Sequence, residues 1–437
     1  MTSSMLTSIG FSPLPNSMPF FMLGDFGGGP GTLHTGGNLQ WKYEVAARMG
    51  EWAEILLPRF VVGLGDNFYD VGVSTVDEPA WEDQFESIYS ATALRSVPWL
   101  MCLGNHDYEG RPEAQIERTD YDASGRWQMP SRVYSRRFVQ GAVSVEIFSV
   151  DTNAISYTLT PETAGACAFA QPVPGCSPGF EEEGLRVATE LENLLNASTA
   201  TWKVVVGHHP LFSAGHHGSA QETAPLRAAL LPLLDRYGVD LYACGHDHIA
   251  QHVVPNGESR PSFSRVSAVS PEGREGRAGA KKATTAAGQN HHGGDPPVTT
   301  MAAVVKTDHV SIGTSGPMVM PGGYDFRFER GEGGGKGDEN QEEGQLLVDS
   351  WDRLYARGPV DGAPAHQGLG EGQTSAAGFG LNSGLDEDGG VPEGLGFDLW
   401  FATKSRAFGV VEASELILRL NLVGKDGSLL YSFDRYR

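Results

Sequence analysis

The chain has 437 residues, enough for one large or two ordinary domains with a substantial core. Its formal net charge of -22 argues against nucleic acid or an anionic membrane surface as the main partner. No apolar run approaches the roughly 18 residues that a membrane-spanning helix needs, so we expect neither a nucleic-acid nor a membrane partner.

Apolar runs and helical periodicities alternate from residue 20 to about residue 255. Runs rich in Val, Phe and Leu predict six strands, at 20–23, 60–64, 99–103, 144–150, 203–206 and 241–243. Apolar residues at helical spacing predict the helices between them, at 41–57, 80–89, 185–196 and 223–237. This alternation predicts an α/β fold with strands in the core and helices outside.

The character of the sequence changes beyond His252. Residues 256–300 are rich in Gly, Ser, Ala and Pro, and residues 329–396 are Gly-rich and acidic. Such compositions bury little apolar surface, so we expect two low-complexity insertions that are largely disordered or surface-bound. Residues 346–355 are a candidate short helix within the second insertion.

The remaining C-terminal segments have the pattern of strands. A returning strand is predicted at 304–314, and one or two antiparallel hairpins at 408–436 with a turn at 425–427. We therefore predict a single domain over residues 20–437, preceded by an N-terminal extension at 1–19.

Five of the six strands run directly into segments with metal-binding residue types. The segments are GDFGG at 24–28, GDNFY at 65–69, GNHD at 104–107, GHHP at 207–210 and GHDH at 245–248. Ligands of open α/β folds bind at the carboxyl ends of strands, so we expect the five segments to lie together. Their donors suffice for two adjacent metal ions, which promote in-line attack of water on a phosphate ester. The sequence therefore predicts a metal-dependent phosphatase.

The five segments contain carboxylate, phenol, amide and imidazole side chains that can bind metal ions. Asp25 and Asp66 each follow a glycine at a strand end, and Asp66 is the better candidate for a bridging carboxylate because further donors follow it. Imidazole nitrogens suit iron, zinc and manganese. The candidate ligands beyond the two aspartates are Tyr69, Asn105, His208, His246 and His248.

The five segments, in this order, resemble those of the calcineurin-like metallophosphoesterases, and specifically the small, tartrate-resistant type of purple acid phosphatase. The similarity is carried by 64–69 with Gly72 and Val73, by GHHP followed by His217 and Gly218, and by 244–248 with Gln251. It covers about 20–255 and the strands near 304–320 and 397–437. The resemblance implies an α/β/β/α sandwich and acid phosphatase activity on monoesters, either small phosphate esters or phosphoproteins.

The resemblance also implies which metals bind. Most metallophosphoesterases carry a histidine two residues after the first aspartate, where this chain has Gly27. Tyr69 can supply the missing donor as a phenolate, which favours Fe(III); the alternative is an ordinary buried aromatic. By resemblance, Fe(III) is bound by Asp25, Asp66, Tyr69 and His248. A divalent ion (Fe, Zn or Mn) is bound by Asp66, Asn105, His208 and His246.

Three further residues are expected to act on the substrate. Fe(III) strongly acidifies a bound water, so a metal-bound hydroxide nucleophile can exist below neutral pH. The leaving alkoxide still needs a proton or a cationic neighbour. His106 and His217 resemble substrate-contacting histidines of the family, and Asp107 is expected to orient His106. We favour His217 as the general acid, with the adjacent His216 as the alternative.

Two other functions stay open: a phosphodiesterase or nucleotide hydrolase of the same superfamily, and a non-catalytic metal-binding or scaffold protein that uses the acidic insertions. We expect a monomer. The resemblance and the glycosylation sequon at Asn196 favour a secreted or lumenal protein, whereas residues 1–19 show no signal peptide, which leaves the cytoplasm as the alternative.

The four cysteines are too few for a disulfide scaffold. Cys102 and Cys244 are expected to be buried free thiols because they lie in apolar strands. Cys167 and Cys176 flank a loop and can pair if the compartment is oxidising.

Overall fold

The computed structural model of the protein describes residues 3–29, 39–158, 180–215, 217–218, 220–255, 307–313 and 397–437. Both predicted insertions, the candidate helix at 346–355 and the cysteine pair at 167 and 176 lie outside these residues. The described helices are α1 Ser3–Ser8, α2 Gln40–Leu56, α3 Thr92–Arg95, α4 Pro112–Tyr121, α5 Thr152–Thr158, α6 Phe180–Ala197 and α7 Ala220–Arg236. The described strands are β1 Met18–Leu23, β2 Val61–Gly63, β3 Trp99–Met101, β4 Trp127–Gln128, β5 Val133–Gln140, β6 Val143–Val150, β7 Trp202–Val206, β8 Leu241–Cys244, β9 Ala250–Pro255, β10 Asp308–Ile312, β11 Phe397–Thr403, β12 Ala407–Ala413, β13 Ile417–Gly424 and β14 Leu429–Tyr436.

The strands form two sheets. Sheet A has the order β14-β13-β12-β1-β2-β3-β4, and sheet B has the order β11-β9-β10-β8-β7-β6-β5. The strands that lead into the five segments are parallel neighbours, namely β1, β2 and β3 in sheet A and β7 and β8 in sheet B. Their carboxyl ends therefore meet at one edge of the molecule, as predicted.

Side chains of sheet A alternate between two apolar layers, since successive residues of a strand point to opposite faces. Phe20 and Met22 of β1 lie in the layer between the two sheets. Phe21 and Leu23 belong to the outer layer, which also contains Trp52 of α2. Helix α2 thus covers the outer face of sheet A.

Sheet B repeats this arrangement on its own side. Val204 of β7 lies between the sheets. Val205 lies in an outer layer with Leu191 of α6 and Leu230 of α7. Helices therefore cover both outer faces of two packed sheets, which confirms the predicted α/β/β/α sandwich.

Most predicted elements are present. All six predicted strands form, as do the helices at 41–57, 185–196 and 223–237, the returning strand β10 and the C-terminal hairpins β12–β14. The predicted helix at 80–89 is wrong in type, since Glu82–Glu86 form a π-helical turn. Gln84 and Phe85 of this turn are both buried, and the Gln84 side chain bonds to Gly28 and Tyr69.

The predicted N-terminal extension packs against the domain. Leu6 and Phe11 are buried in the outer layer of sheet A, and the Phe11 ring lies 4.8 Å from that of Trp52. The backbone N–H of Leu14 donates to Glu412 on β12 at 2.8 Å. Residues ahead of β1 therefore contribute to the core.

Two smaller observations complete the fold. Cys102 and Cys244 are buried free thiols, as predicted. None of the helices in the described ranges is long and apolar enough to traverse a lipid bilayer.

Candidate metal centre

The two sheets supply different kinds of donor to one edge. Oxygen donors follow the strands of sheet A, and imidazoles follow those of sheet B. The oxygen donors are Asp25 after β1, Asp66 and Tyr69 after β2, and Asn105 after β3. The imidazoles are His208 after β7, and His246 and His248 after β8. The structure thus brings all seven predicted ligands to the same edge.

Four of these side chains form one cluster, called here the phenol group: Asp25, Asp66, Tyr69 and His248. The Tyr69 hydroxyl lies 3.0 Å from Oδ2 of Asp66, 3.3 Å from Oδ1 of Asp25 and 3.1 Å from Nε2 of His248. Nε2 of His248 is 3.5 Å from Oδ1 of Asp25. Three donor atoms therefore converge around the phenolic oxygen.

The other three form a second cluster, called here the imidazole group: Asn105, His208 and His246. Oδ1 of Asn105 lies 3.1 Å from Nε2 of His208 and 3.0 Å from Nδ1 of His246, and the two nitrogens are 3.2 Å apart. Oδ2 of Asp66 is 3.3 Å from Nε2 of His208. One carboxylate oxygen of Asp66 therefore adjoins both groups.

The donor set fits a cation. Nδ1 of His208 lies 2.9 Å from the carbonyl oxygen of Leu64 and donates to it, so Nε2 is the ring nitrogen that faces Asn105 and Asp66. Oxygen and nitrogen atoms of the types that bind metals thus lie within hydrogen-bond distance of one another. The ligand atoms of Asp25, Asp66 and His208 all lie within 4.8 Å of one another, and all three residues are buried.

Electrostatics also favour a cation. Burial alone would lower the pKa of His208, but the charge of Asp66 outweighs it and raises the pKa to about 9. Burial favours the neutral form of Asp66, yet His208 overrides it and holds the carboxyl pKa well below its usual range. Burial together with the neighbouring histidines lowers the pKa of His246 well below its usual value, so its imidazole is neutral and able to ligate.

Tyr69 is protonated in the protein by itself. Burial raises the pKa of Tyr69 well above its usual value, and the carboxylates of Asp66 and Asp25 raise it further. A phenolate at this position therefore requires a strongly charged cation beside it.

The backbone supports the same conclusion. Asp25, Asp66 and His246 have φ angles of 54°, 50° and 68°, a region that residues other than glycine rarely occupy. Strain of this kind clusters at functional sites. A Cβ at Gly27 would lie 2.6 Å from the backbone nitrogen of Tyr69, so no side chain can extend from residue 27 without displacing Tyr69.

His106 lies beside the phenol group. Its ring packs edge-on against Tyr69 with centroids 4.9 Å apart, and its Nδ1 lies 2.8 Å from the carbonyl oxygen of Asp70 and 3.1 Å from Glu109. Burial would lower the pKa of His106, but Asp66 and then Glu109 raise it to about 9.

Asp107 has a different place from the one predicted. Its carboxylate accepts hydrogen bonds from the backbone N–H groups of Asn67, Phe68 and Gly104, and from the side chain of Gln115 at 2.8 Å. It therefore fixes the loops after β2 and β3 with respect to each other. Orientation of the His106 ring comes instead from its Nδ1 contacts described above.

His217 lies against the imidazole group, with its ring centroid 4.0 Å from that of His246. Its backbone N–H donates to Asp247 at 3.1 Å. The other carboxylate oxygen of Asp247 accepts from Ser213, and Gln251 donates to Ser213 at 2.6 Å. These residues anchor the loop that carries His217.

Sequence reasoning assigned no role to two of the supporting residues. Asp247 stands between two candidate ligands in GHDH, yet it acts on the His217 loop. The Thr152 hydroxyl accepts from the backbone N–H groups of His208 and His209 and lies 2.9 Å from Nδ1 of His209. A small hydroxyl residue two positions after the end of β6 was the only local signal for Thr152.

Comparisons with known proteins agree with this geometry. A family model described as calcineurin-like phosphoesterase matches residues 18–250. Purple acid phosphatase 4 of Arabidopsis thaliana is 37% identical over 252 residues, which are 57% of this chain and 67% of that protein. The chain belongs to the purple acid phosphatases of this family. It is therefore a member of a family of metal-dependent phosphoester hydrolases.

Other relatives of this phosphoesterase show the same likeness. Tartrate-resistant acid phosphatase type 5 of Homo sapiens is 34% identical over 243 residues, 54% of this chain and 69% of that protein. Purple acid phosphatase 17 of Arabidopsis thaliana is 41% identical over 209 residues, and the match spans only 58% of its length.

A solved structure shares the fold. The Plasmodium protein GAP50, described as the anchor in the inner membrane complex, superposes with a TM-score of 0.55 at 17% identity. The match covers 96% of this chain and 89% of that one. At this identity the likeness concerns the fold alone.

Proposed function

We propose that the protein is an acid phosphatase that hydrolyses phosphate monoesters at a dinuclear centre of Fe(III) and a divalent ion (Fe, Zn or Mn). The observation that supports this most is the position of Asp66, whose Oδ2 lies 3.0 Å from the Tyr69 phenol and 3.3 Å from Nε2 of His208. A carboxylate so placed can bridge two ions. The phenol group would hold Fe(III), and Asp66 with the imidazole group would hold the divalent ion.

The ions, when bound, supply Lewis acidity, which lowers the pKa of water and neutralises charge on phosphoryl oxygens. His106 contributes an imidazole beside the phenol group, and the contacts of its Nδ1 with Asp70 and Glu109 hold that ring in place. A protonated ring at this place also adds positive charge beside the substrate.

We assign His217 a role at the leaving group. Its ring adjoins His246, and its loop is held by Asp247, so the imidazole has a defined position at the rim of the imidazole group. We assign it the transfer of a proton to the departing alkoxide oxygen.

The test is phosphate release by protein loaded with Fe(III) and Zn(II). We expect hydrolysis of p-nitrophenyl phosphate between acid and neutral pH, and much slower hydrolysis of the matched diester. Asp66→Asn should lose metal and activity by more than about 100-fold, since even residues that only support ligands change affinity or activity by 10- to 100-fold.

The matched control is Asp120→Asn, which changes an exposed aspartate on α4. It should leave both metal content and rate unchanged. Loaded protein that releases no phosphate from aryl or alkyl monoesters would contradict the proposal. A diester rate above the monoester rate would replace it with a phosphodiesterase.

A further inference from the structure

Gln84 holds the backbone of Tyr69 from both sides. The side chain is buried on the π-helical turn Glu82–Glu86. Its Oε1 accepts from the N–H of Tyr69 at 3.2 Å, and its Nε2 donates to the carbonyl oxygen of Tyr69 at 2.8 Å. Single π-helical turns are rare and occur frequently at functional sites.

The same amide also holds the turn after β1. Oε1 of Gln84 accepts from the N–H of Gly28 at 2.7 Å. Gly27 is in contact with Tyr69 through the backbone, as the 2.6 Å approach of a Cβ at Gly27 indicates. Gln84 therefore ties the segment that follows Asp25 to the residue that supplies the phenol.

A buried lysine locks this arrangement. Lys42 of α2 is fully buried, and its Nζ donates to the carbonyl oxygens of Gly28 at 2.8 Å and of Gln84 at 2.7 Å. Burying an ammonium group costs free energy unless hydrogen bonds compensate for its lost hydration. Here the two bonds fix the spacing between the turn at Gly28 and the π-helical turn.

The consequence concerns the phenolic oxygen. It lies 3.3 Å from Asp25 and 3.0 Å from Asp66 only while the Tyr69 backbone stays where Gln84 holds it. Metal–ligand distances tolerate deviations of only about 0.2 Å. A small shift of this backbone would therefore weaken any bond from the phenol to a cation.

We propose that Gln84, locked by Lys42, is a positioning residue that sets the distance between the Tyr69 oxygen and the cation of the phenol group. The inference rests on the proposed function, because it assumes an Fe(III)–phenolate bond. It adds a specific pair of residues from outside the ligand segments to that centre.

The experiment compares Gln84→Leu and Gln84→Glu with wild type in the full chain loaded with Fe(III) and Zn(II). Leu removes all three hydrogen bonds of the amide at similar volume, whereas Glu keeps the acceptor and loses the donor to Tyr69. The readouts are the visible charge-transfer band and the rate of iron loss to a chelator. Gln128→Leu is the matched control, since Gln128 lies on β4 and donates to Gly125.

We expect Gln84→Leu to shift and weaken the band and to lose iron about 10- to 100-fold faster, the range typical of residues that support a ligand. Gln84→Glu should fall between it and wild type, and Gln128→Leu should match wild type. Lys42→Met should change the band in the same direction to a smaller extent. Thermal melting shows whether the Gln84 variants fold. If neither does, the band and the iron loss of Lys42→Met test the proposal instead.

The results distinguish failure of the positioning role of Gln84 from failure of the proposed function. A wild-type band that Gln84→Leu and Lys42→Met both leave unchanged, with iron loss also unchanged, would overturn the positioning role and leave the proposed function intact. Faster amide hydrogen exchange around Tyr69 with an unchanged band would overturn it equally, since Gln84 would then only stabilise the fold. A wild-type protein without the band would overturn the Fe(III)–phenolate assignment, and this inference with it.

Discussion

A buried histidine outside the ligand segments predicts how stability depends on pH. His309 on β10 is 3% exposed, and neither of its ring nitrogens has a hydrogen-bond partner among the described residues. Its ring packs edge-on against Phe212, with centroids 4.9 Å apart, and lies 5.7 Å from the ring of Tyr242. Burial lowers the pKa of His309 to about 3, against a smaller opposing effect of Asp308.

The expected magnitude follows from linkage. In the unfolded chain a histidine titrates near a pKa of about 6.5, so the unfolded state binds more protons than the native state between about pH 6.5 and pH 3. Stability therefore falls as pH falls through this window. At pH 5 the loss is about 1.5 pH units multiplied by 1.36 kcal/mol, or about 2 kcal/mol. His309→Phe removes the titrating group and should remove this loss.

The assay is urea unfolding of the metal-free protein at pH 5 and pH 8. At each pH the free energy of unfolding of wild type is subtracted from that of the variant. This difference should be about 2 kcal/mol more favourable to the variant at pH 5 than at pH 8. Val310→Ala is the matched control, because it removes buried apolar surface on the adjacent residue and should cost the same at both pH values. An equal effect of His309→Phe at the two pH values would refute the argument and show that folding leaves the pKa of His309 unchanged.

Three further predictions concern the centre and the buried charges. Tyr69→Phe should abolish the violet band and weaken the preference for iron while the protein still binds two divalent ions; unchanged colour would exclude Tyr69 as a ligand. His217→Ala should slow alkyl esters more than aryl esters, because aryl leaving groups need less protonation, and an equal loss on both would remove the general-acid role. Arg435 lies 2.7 Å from Asp308 and 3.6 Å from Asp240, so Arg435→Met should cost about 3–5 kcal/mol of unfolding free energy, measured by urea unfolding at pH 7, because it removes the guanidinium that neutralises two buried carboxylates. A loss below about 1 kcal/mol, the size typical of exposed pairs, would show that water already screens these charges.

The sequence was most informative where the signal was local. Apolar runs followed directly by a glycine and a donor predicted both the strands and their convergence, because parallel strands share an edge. Strand β5, VYSRRFVQ, was missed because two consecutive exposed arginines interrupt its apolar pattern. The π-helical turn at Glu82–Glu86 was predicted as part of a longer α-helix because its apolar residues have helical spacing.

The supporting residues of the site could not be found in this way. Gln84 and Lys42 belong to helical segments, where a buried amide or amine has no distinguishing local pattern. Their roles depend on hydrogen bonds to Gly28 and Tyr69, which are 56 and 15 positions from Gln84. Asp107 was recognised as part of GNHD, but its partners on the loop after β2 are set by tertiary structure.

The division of donors between the two sheets has a consequence for assembly. Neither sheet alone can complete a coordination shell of the proposed kind, because one contributes only oxygens and the other only nitrogens. Tight cation binding would therefore require that the two sheets are packed in the correct register. Each bound ion would have ligands from both sheets and would link them. Removal of the ions by a chelator should therefore weaken the contact between the sheets first at the edge that carries the ligands. At the opposite edge, the ion pairs of Arg435 with Asp240 and Asp308 should keep the sheets together.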